Sequence, residues 1–474
     1  MPAGSRHKQP LLHHQHRFAR KAVTRLLLAG LLLPFSGCFQ GGLLNRSDEE
    51  QPGPILEKIE DVGRILRHTN EQTTYHTLYW DGGADEPVKG KIIGGSGTWN
   101  ADGKNWTNDD ATETLAWSQA SGGIAVFGGS GSGTVQIGAP QQASWVSFRT
   151  AGYRLEGAPL IMKTAEPTPD EGYAGFGITQ GSAVIAADIK QASEELQIPL
   201  EVRIVGKTII FSGDKSYDGQ TRIRSNSKLV LGDQSSGTAA SVRSSIRFDS
   251  GQPTLEVYVP ASMAFTNVLS SEDSTAQFLV RCSSPPDTAA APTRLNLVSN
   301  STSFSGTTSS DGCDLRISGN LGGDININTP GAVLSGTGTA GGSGRTVSIV
   351  GATLAPGNFD SNEHGKLTVP GNLSLSGTPQ KPAISAFNLF DEAATNNDSV
   401  RVGGNLTIAN TDLQIKGGKP GSYALFSYAD SYNGSADIFS HIEGSTDFEY
   451  EAFNDESSKT IILEIKQKTV APAK

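Results

Sequence analysis

The sequence predicts an all-β fold of short strands joined by tight turns, through its alternation, its turn residues and its composition. Residues 208–232, TIIFSGDKSYDGQTRIRSNSKLVLG, place Ile209 and Phe211 on one face of a strand, and Leu229 and Leu231 repeat the pattern. Glycines separate these runs where the chain must change direction. Of the 474 residues, 56 are glycine and only 18% are charged, and helical patterns are scarce. The stretch is interpreted as one unit of a repetitive β architecture.

Charge and hydropathy argue against two classes of protein. Acidic residues outnumber basic residues by 48 to 38, which gives a net charge of −10. Nucleic-acid-binding proteins need a basic stripe or patch, so we expect no nucleic-acid partner. The sequence has no run of roughly eighteen apolar residues, and a membrane-spanning helix is therefore not predicted.

Residues 1–37 are predicted to be a lipoprotein signal peptide. Basic residues precede LLLAGLLLPFSGC, a short apolar run that ends in small residues, as export signals do. FSGC resembles the lipobox of bacterial lipoproteins, and this resemblance implies that Cys38 is acylated and becomes the first mature residue. Membrane lipid attached to Cys38 would then anchor the protein, and Phe39 at the next position favours the outer membrane. The alternative is an ordinary cleaved signal peptide and a secreted protein.

Residues 38–74 are predicted to be a tether followed by a short helix. The first part, FQGGLLNRSDEEQPGP, is polar and rich in turn residues. The following stretch, ILEKIEDVGRILRHTN, has apolar residues near helical spacing. We interpret this helix as a cap on the β architecture, which is expected to start near Tyr75, with a partner-binding or oligomer helix as the alternative.

Residues 75–162 are predicted to form a leading β module. GGSGTWNADGKNWTNDDATETLAWSQASGGIAVFGGSGSGTVQIG resembles the leading module of autotransporter-associated beta-strand repeat proteins. The stretch at 208–232 resembles the repeat of that family, and phrases such as GATLAPGN and KLTVPGNLSLSGT resemble its closing coils. The resemblance implies a right-handed parallel β-helix over residues 163–465 and a structural or adhesive role at the bacterial cell envelope. Its partner would be an envelope or extracellular carbohydrate or protein. Residues 466–474 are predicted to be a basic tail.

The residues agree with a parallel solenoid, which needs inward apolar side chains and small residues at its corners. The segments 163–205 and 278–312 are less regular, so whether they follow the solenoid is left open. The C-terminal barrel of the family is not recognised, and the lipid anchor is expected to replace it. Pairs predicted to point inward are Val347 and Ile349, Leu367 and Val369, Leu373 and Leu375, and Leu406 and Ile408.

All five tryptophans, at positions 80, 99, 106, 117 and 145, lie in the leading module. Buried tryptophans could cover the open end of a solenoid, whereas exposed ones could stack on sugar rings. We interpret the tryptophans as packing that caps the solenoid, with ligand contact by Trp99, Trp106 and Trp117 as the alternative.

Cys282 and Cys313 flank the insert SSPPDTAAAPTR. An exported chain meets an oxidising compartment, so a disulfide between these two cysteines is predicted, with two separate thiols as the alternative.

Parallel β-helices also include polysaccharide-cleaving enzymes, whose chemistry needs paired catalytic carboxylates. NTD at 410–412 and EHG at 363–365 resemble pieces of the polygalacturonase site, but their order is reversed and the accompanying residues are missing. No Cys and His spacing suits a metal. We therefore predict no catalytic residue, metal or cofactor, and keep a polysaccharide-active enzyme or carbohydrate-binding protein on the same scaffold as the alternative function.

Overall fold

The computed structural model describes residues 77–82, 89–117, 123–163, 173–192, 201–283, 292–357, 364–390 and 397–468, all of which belong to one unit of the chain. The predicted signal peptide, Cys38, the tether and the capping helix lie outside these residues. Within the described ranges the regular elements are strands and none is a helix. Accordingly, no described helix has the length and apolar character needed to cross a membrane.

The strands of the first half of the chain are β1 (Thr77–Trp80), β2 (Gly97–Trp99), β3 (Trp106–Thr107), β4 (Thr114–Leu115), β5 (Ile124–Phe127), β6 (Thr134–Ile137), β7 (Gln141–Ala143), β8 (Trp145–Phe148), β9 (Arg154–Gly157), β10 (Leu160–Met162), β11 (Tyr173–Ile185), β12 (Ile189–Gln191), β13 (Glu201–Phe211), β14 (Thr221–Ile223), β15 (Lys228–Leu231), β16 (Ile246–Phe248), β17 (Thr254–Val259), β18 (Met263–Phe265), β19 (Leu269–Ser271) and β20 (Gln277–Cys282).

The strands of the second half are β21 (Arg294–Leu297), β22 (Asn300–Ser301), β23 (Thr307–Asp311), β24 (Asp314–Ile317), β25 (Asn320–Leu321), β26 (Asp324–Ile327), β27 (Val333–Gly336), β28 (Thr339–Ala340), β29 (Thr346–Val350), β30 (Thr353–Pro356), β31 (Lys366–Val369), β32 (Asn372–Ser376), β33 (Ala383–Leu389), β34 (Ser399–Val402), β35 (Leu406–Ala409), β36 (Thr411–Gly417), β37 (Gly421–Tyr428), β38 (Tyr432–Gly434), β39 (His441–Glu443), β40 (Phe448–Asp455) and β41 (Thr460–Gln467).

These strands stack into three parallel ladders that the chain visits in turn, which makes the fold a three-faced β-solenoid. Ladder A runs β2–β6–β9–β11–β13–β15–β17–β20–β23–β26–β29–β32–β35–β38. Ladder B runs β1–β5–β8–β11–β13–β14–β16–β19 and resumes as β22–β25–β28–β31–β34–β37. Ladder C contains β7–β10–β12 and then β18–β21–β24–β27–β30–β33–β36–β39.

The predicted alternation at 208–232 is confirmed, because its apolar residues stack in register inside the solenoid. Ile209 lies beside Leu229 and Phe211 lies beside Leu231 on neighbouring coils, and all four side chains are fully buried. The eight inward residues predicted in the second half are buried as well. Apolar residues on one strand face thus meet their counterparts one coil away, and burial of this column is the main stabilising contribution.

The two less regular segments follow the solenoid wherever they are described. Strands β11 and β13 each bend, so that the first half of each pairs in ladder B and the second half in ladder A. Gly206 lies at the bend of β13 with φ +97°, and a Cβ there would approach the carbonyl oxygen of Ile178 to 1.9 Å. A side chain does not fit at that corner, so glycine is required. In the second segment, β20, β21, β22 and β23 continue all three ladders.

Antiparallel strands finish the solenoid at both ends. At the N-terminal end β1 pairs with β3, and β3 pairs with β4. At the C-terminal end β41 pairs with β37 and also with β40, so only ladder B is extended there.

Candidate functional site

The candidate ligand-binding tryptophans lie in an aromatic cluster at the N-terminal end of the core. Trp99 is 5.0 Å from Trp106 and 5.0 Å from Trp117 between ring centroids, and Trp80 and Phe127 complete the group. Trp99, Trp106 and Trp117 are 0%, 1% and 3% exposed. Edge-to-face contacts of this kind add to the burial of apolar surface, so the arrangement agrees with cap packing.

The indole N–H groups of the cluster differ in their partners. Those of Trp80 and Trp117 donate to the carbonyl oxygens of Gly95 and Gln142, each at 2.9 Å. Within the described residues, the Nε1 atoms of Trp99 and Trp106 have no hydrogen-bond partner. At 0–3% exposure these ring faces are too buried to stack on a sugar ring. Ligand contact by Trp99, Trp106 and Trp117 therefore stays a prediction that requires the cluster to open.

The structure records a disulfide between Cys282, at the end of β20, and Cys313, just before β24. Their Cα atoms are 5.5 Å apart, within the usual range for a bridge. Cys313 is fully buried, and Cys282 packs partly buried against the core. The crosslink joins ladders A and C and closes a loop of 31 residues in sequence.

The two fragments that resemble a polygalacturonase site do not form a catalytic pair in the described residues. Asp412 lies on β36, where its register neighbour on β39 is His441, and Asn410 sits in a turn with φ +46°. His364 precedes β31 on a different ladder, and Glu363 lies outside the described residues. No group of three or more His, Cys, Asp or Glu side chains in the described ranges is placed to hold a metal.

A row of charged side chains on ladder B is the strongest polar arrangement that the sequence reasoning missed. We call it the ionic row, and it comprises Glu201, Arg203, Arg222, Arg224, Arg247, Asp249 and Glu272. Arg203, Arg222 and Arg247 occupy the same register position on three successive coils. Stacked strands lie about 4.8 Å apart, so these like charges would repel without carboxylates between them.

Carboxylates in the ionic row neutralise the stacked arginines. Glu201 accepts a hydrogen bond from Arg203, and Asp249 accepts one from Arg222. Glu272 lies 3.0 Å from Arg247 and 3.3 Å from Arg222. The hydrogen bond from Arg247, followed by one from the backbone of Ser250, holds the pKa of Glu272 below its ordinary value. The ion pairs of the row link neighbouring coils and so stabilise their stacking. Because Arg222 and Arg247 remain partly exposed, the row also presents guanidinium groups to solvent.

The signal for the ionic row was present in the sequence. EVRI and IRF place an arginine between two apolar residues, and TRI places one between threonine and isoleucine. In β14 and β16 the flanking residues are buried and the arginine is not, so the arginine must face outward. Recognising that these arginines stack requires the register of the coils. The unequal spacings of 19 and 25 residues between the arginines do not reveal that register.

A buried carboxylate, Asp398, ties three segments together near the C-terminal end. It is fully buried and accepts backbone hydrogen bonds from Gly365 and Asn388, each at 2.7 Å. Burial raises the pKa of Asp398 to about 6, although these hydrogen bonds and the nearby His364 oppose the rise.

Comparison with known proteins shows a partial similarity to an autotransporter adhesin. No protein-family model matches the chain. Over 173 residues it is 33% identical to the Adhesin BmaC autotransporter of Brucella suis biovar 1 (strain 1330). The match covers 34% of this chain and 5% of that protein, so the chain spans a small part of the length of the relative. The expected resemblance to autotransporter proteins is supported at this coarse level.

Proposed function

We propose that this chain is an adhesin-like surface protein whose solenoid displays binding faces to an envelope or extracellular carbohydrate or protein. The observation that carries the proposal is the 33% identity to a protein named an adhesin. The fold supports it, because stacked coils create long surfaces on which side chains recur at the spacing of the strands. The ionic row is one such surface, and its guanidinium and carboxylate groups suit a polar polymer.

The proposal includes attachment and finer features of the fold. Acylation of Cys38 would hold the solenoid at the outer membrane through the tether at 38–74, with secretion as the alternative. A right-handed coil is favoured because crossover connections between parallel strands are right-handed in nearly all proteins. The helix predicted within residues 55–70 would cap the N-terminal end.

The adhesive role is tested with the purified full chain on an array of glycans and extracellular-matrix proteins. We expect saturable binding to one class of ligand, weakened by the double substitution Arg222→Gln and Arg247→Gln. The matched control is Arg243→Gln with Arg401→Gln, two arginines outside the row. Absence of binding to every ligand, together with release of reducing sugar from a polysaccharide panel, would replace the adhesin proposal with the enzyme alternative.

The anchor is tested separately by intact mass and detergent phase partitioning of the membrane fraction. Wild type is expected to carry a lipid-sized mass on Cys38, and Cys38→Ala is expected to lose it and enter the aqueous phase. An unmodified soluble protein in wild-type cells would refute the lipid anchor and favour secretion.

A further inference from the structure

The C-terminal end of the solenoid leaves two strands without a next coil. In the described residues ladder A stops at β38 and ladder C stops at β39, whereas ladder B is extended by β41 and β40. One edge of β38 and one edge of β39 therefore carry backbone groups that no described strand pairs. Such edges pair readily with an additional extended segment.

The extension of ladder B brings further apolar side chains to this end of the core. Leu463 on β41 is fully buried, and its register neighbours are Tyr423 on β37 and Ala452 on β40. Tyr450, two residues from Ala452 on β40, therefore shares this inner face. The partly buried side chains that pack on the core at this end are Tyr432, Ile442, Phe448, Tyr450 and Ala452.

The same end is strongly acidic. Residues 430–468 contain nine carboxylates, against three lysines and one histidine. Among them, Glu443, Glu449 and Glu451 are exposed on β39 and β40. A second copy of this chain presenting the same end would bring like charges together, whereas a basic segment would be attracted.

We propose that the C-terminal end binds an extended, basic polypeptide segment by strand addition on β39 or β38. The bound segment alternates apolar and basic residues, because opposite faces of a strand point to different surroundings. Its apolar side chains continue the column of Ile442 and cover Tyr450, and its lysines or arginines lie beside Glu443. This inference is independent of the proposed adhesive function.

The test uses the full chain and a fluorescein-labelled ten-residue peptide that alternates lysine and valine. Fluorescence anisotropy is expected to show saturable binding that weakens as salt rises, since these charges are exposed. Reversing three charges, with Glu443→Lys, Glu449→Lys and Glu451→Lys, is expected to weaken binding at least about tenfold, equivalent to about 1.4 kcal/mol. Tyr450→Ala should weaken it as well, without changing its salt dependence.

The matched control reverses Asp109, Asp110 and Glu113, three exposed acids at the N-terminal end, and so makes the same change in net charge. This control should bind like wild type, and circular dichroism checks that each variant is folded. Equal loss in the control would mean general electrostatic attraction and would overturn the proposal, as would equal binding of a glutamate–valine peptide. Binding that appears only after removal of residues 469–474 would identify the chain's own tail as the occupant. Dimers that dissociate in the triple variant would identify a second copy as the occupant, and either result would refute a separate basic partner.

Discussion

At the N-terminal end of the solenoid the core finishes in tryptophan, whereas at the C-terminal end it finishes in half-buried tyrosine, isoleucine and alanine. Trp80, Trp99 and Trp106 are at most 1% exposed, and β3 and β4 fold beside β1 to enclose them. Tyr450 and Ile442 pack on the core but remain partly exposed. Both ends use antiparallel strands, so the difference lies in the side chains that those strands bring.

This comparison shows that adding strands does not by itself close a solenoid. The hairpin of β40 and β41 extends one ladder out of three, and the inner face of that ladder stays partly uncovered. A few indole rings cover far more area per residue than extra backbone pairs do, because each buries roughly 200 Å² or more.

The largest expected effect comes from opening the closed end. Trp99→Ala should destabilise the N-terminal coils by about 3–5 kcal/mol, since it leaves a cavity inside the aromatic cluster. Hydrogen exchange followed along the chain is expected to show lost protection near β2, β6 and β9. Trp99→Phe is the control, because the indole N–H has no hydrogen-bond partner to lose in the part of the chain that the structure describes. Unchanged protection in Trp99→Ala would mean that the cluster is not what holds this end closed.

Removing the disulfide tests whether a loss of stability in the middle of the solenoid spreads to its ends. Replacing Cys282 and Cys313 with serine and alanine should cost about 3–4 kcal/mol, as expected for a crosslink that closes a loop of this size. Protection should fall around β20 to β24 and change little at the tryptophan cluster, because each coil contacts only its neighbours. Free thiols in the intact mass of native protein would support the alternative of two separate cysteines.

Acidity should affect the two ends differently. The pKa of Asp398 is raised from 3.8 to about 6 in the folded protein, so the fold binds this proton more tightly than the unfolded chain does. The resulting stability is fully present below about pH 4 and is lost as the pH rises through about 6, a change of about 2–3 kcal/mol.

Hydrogen exchange of β31, β33 and β34 between pH 4 and pH 7, corrected for the intrinsic exchange rate, measures this dependence. Asp398→Asn should flatten it, and the tryptophan cluster should not share it. An equal pH dependence at both ends would rule out Asp398 as its source.

The smallest effect is expected at the open end. Tyr450→Ala should cost about 1 kcal/mol, because a half-exposed ring loses only part of its transfer free energy and leaves no closed cavity. Thermal unfolding and exchange of β40 and β41 measure the change. Tyr450→Phe keeps the ring and should behave like wild type, since it removes only a long hydrogen bond to Ser445. A cost as large as that of Trp99→Ala would erase the contrast between the ends.

The local sequence pattern is sufficient to predict which side chains point into the core, but not which side chains pair with one another on the outer surface. Alternation alone predicts that Leu373 and Leu375 point inward, because a strand places every second side chain on the same face. The partners of Arg222 could not be predicted in the same way. Glu272 is 50 residues away, and only the number of residues in each intervening coil brings it alongside.

The same limit applies to the candidate site. The tryptophans were recognised as belonging to one module, yet their exposure depends on β3 and β4, which are strands of two residues each. Strands so short carry almost no periodicity, so packing alone decides whether Trp106 faces solvent or core. The acidic character of the C-terminal end is visible in the composition. That these acids lie at the end where β38 and β39 have unpaired edges is known only from the order of strands in the ladders.

The link between Cys282 and Cys313 gives the molecule a mechanical property. If the chain is pulled from its C-terminal end, coils peel away one after another until the peeling front reaches Cys313. The load then passes through sulfur to Cys282, and the 30 residues between the two cysteines, at 283–312, never enter the path of force. At roughly 3.4 Å per extended residue, the crosslink prevents about 100 Å of extension. Under tension, a molecule with the disulfide therefore lengthens less than a reduced molecule before the next coil unfolds.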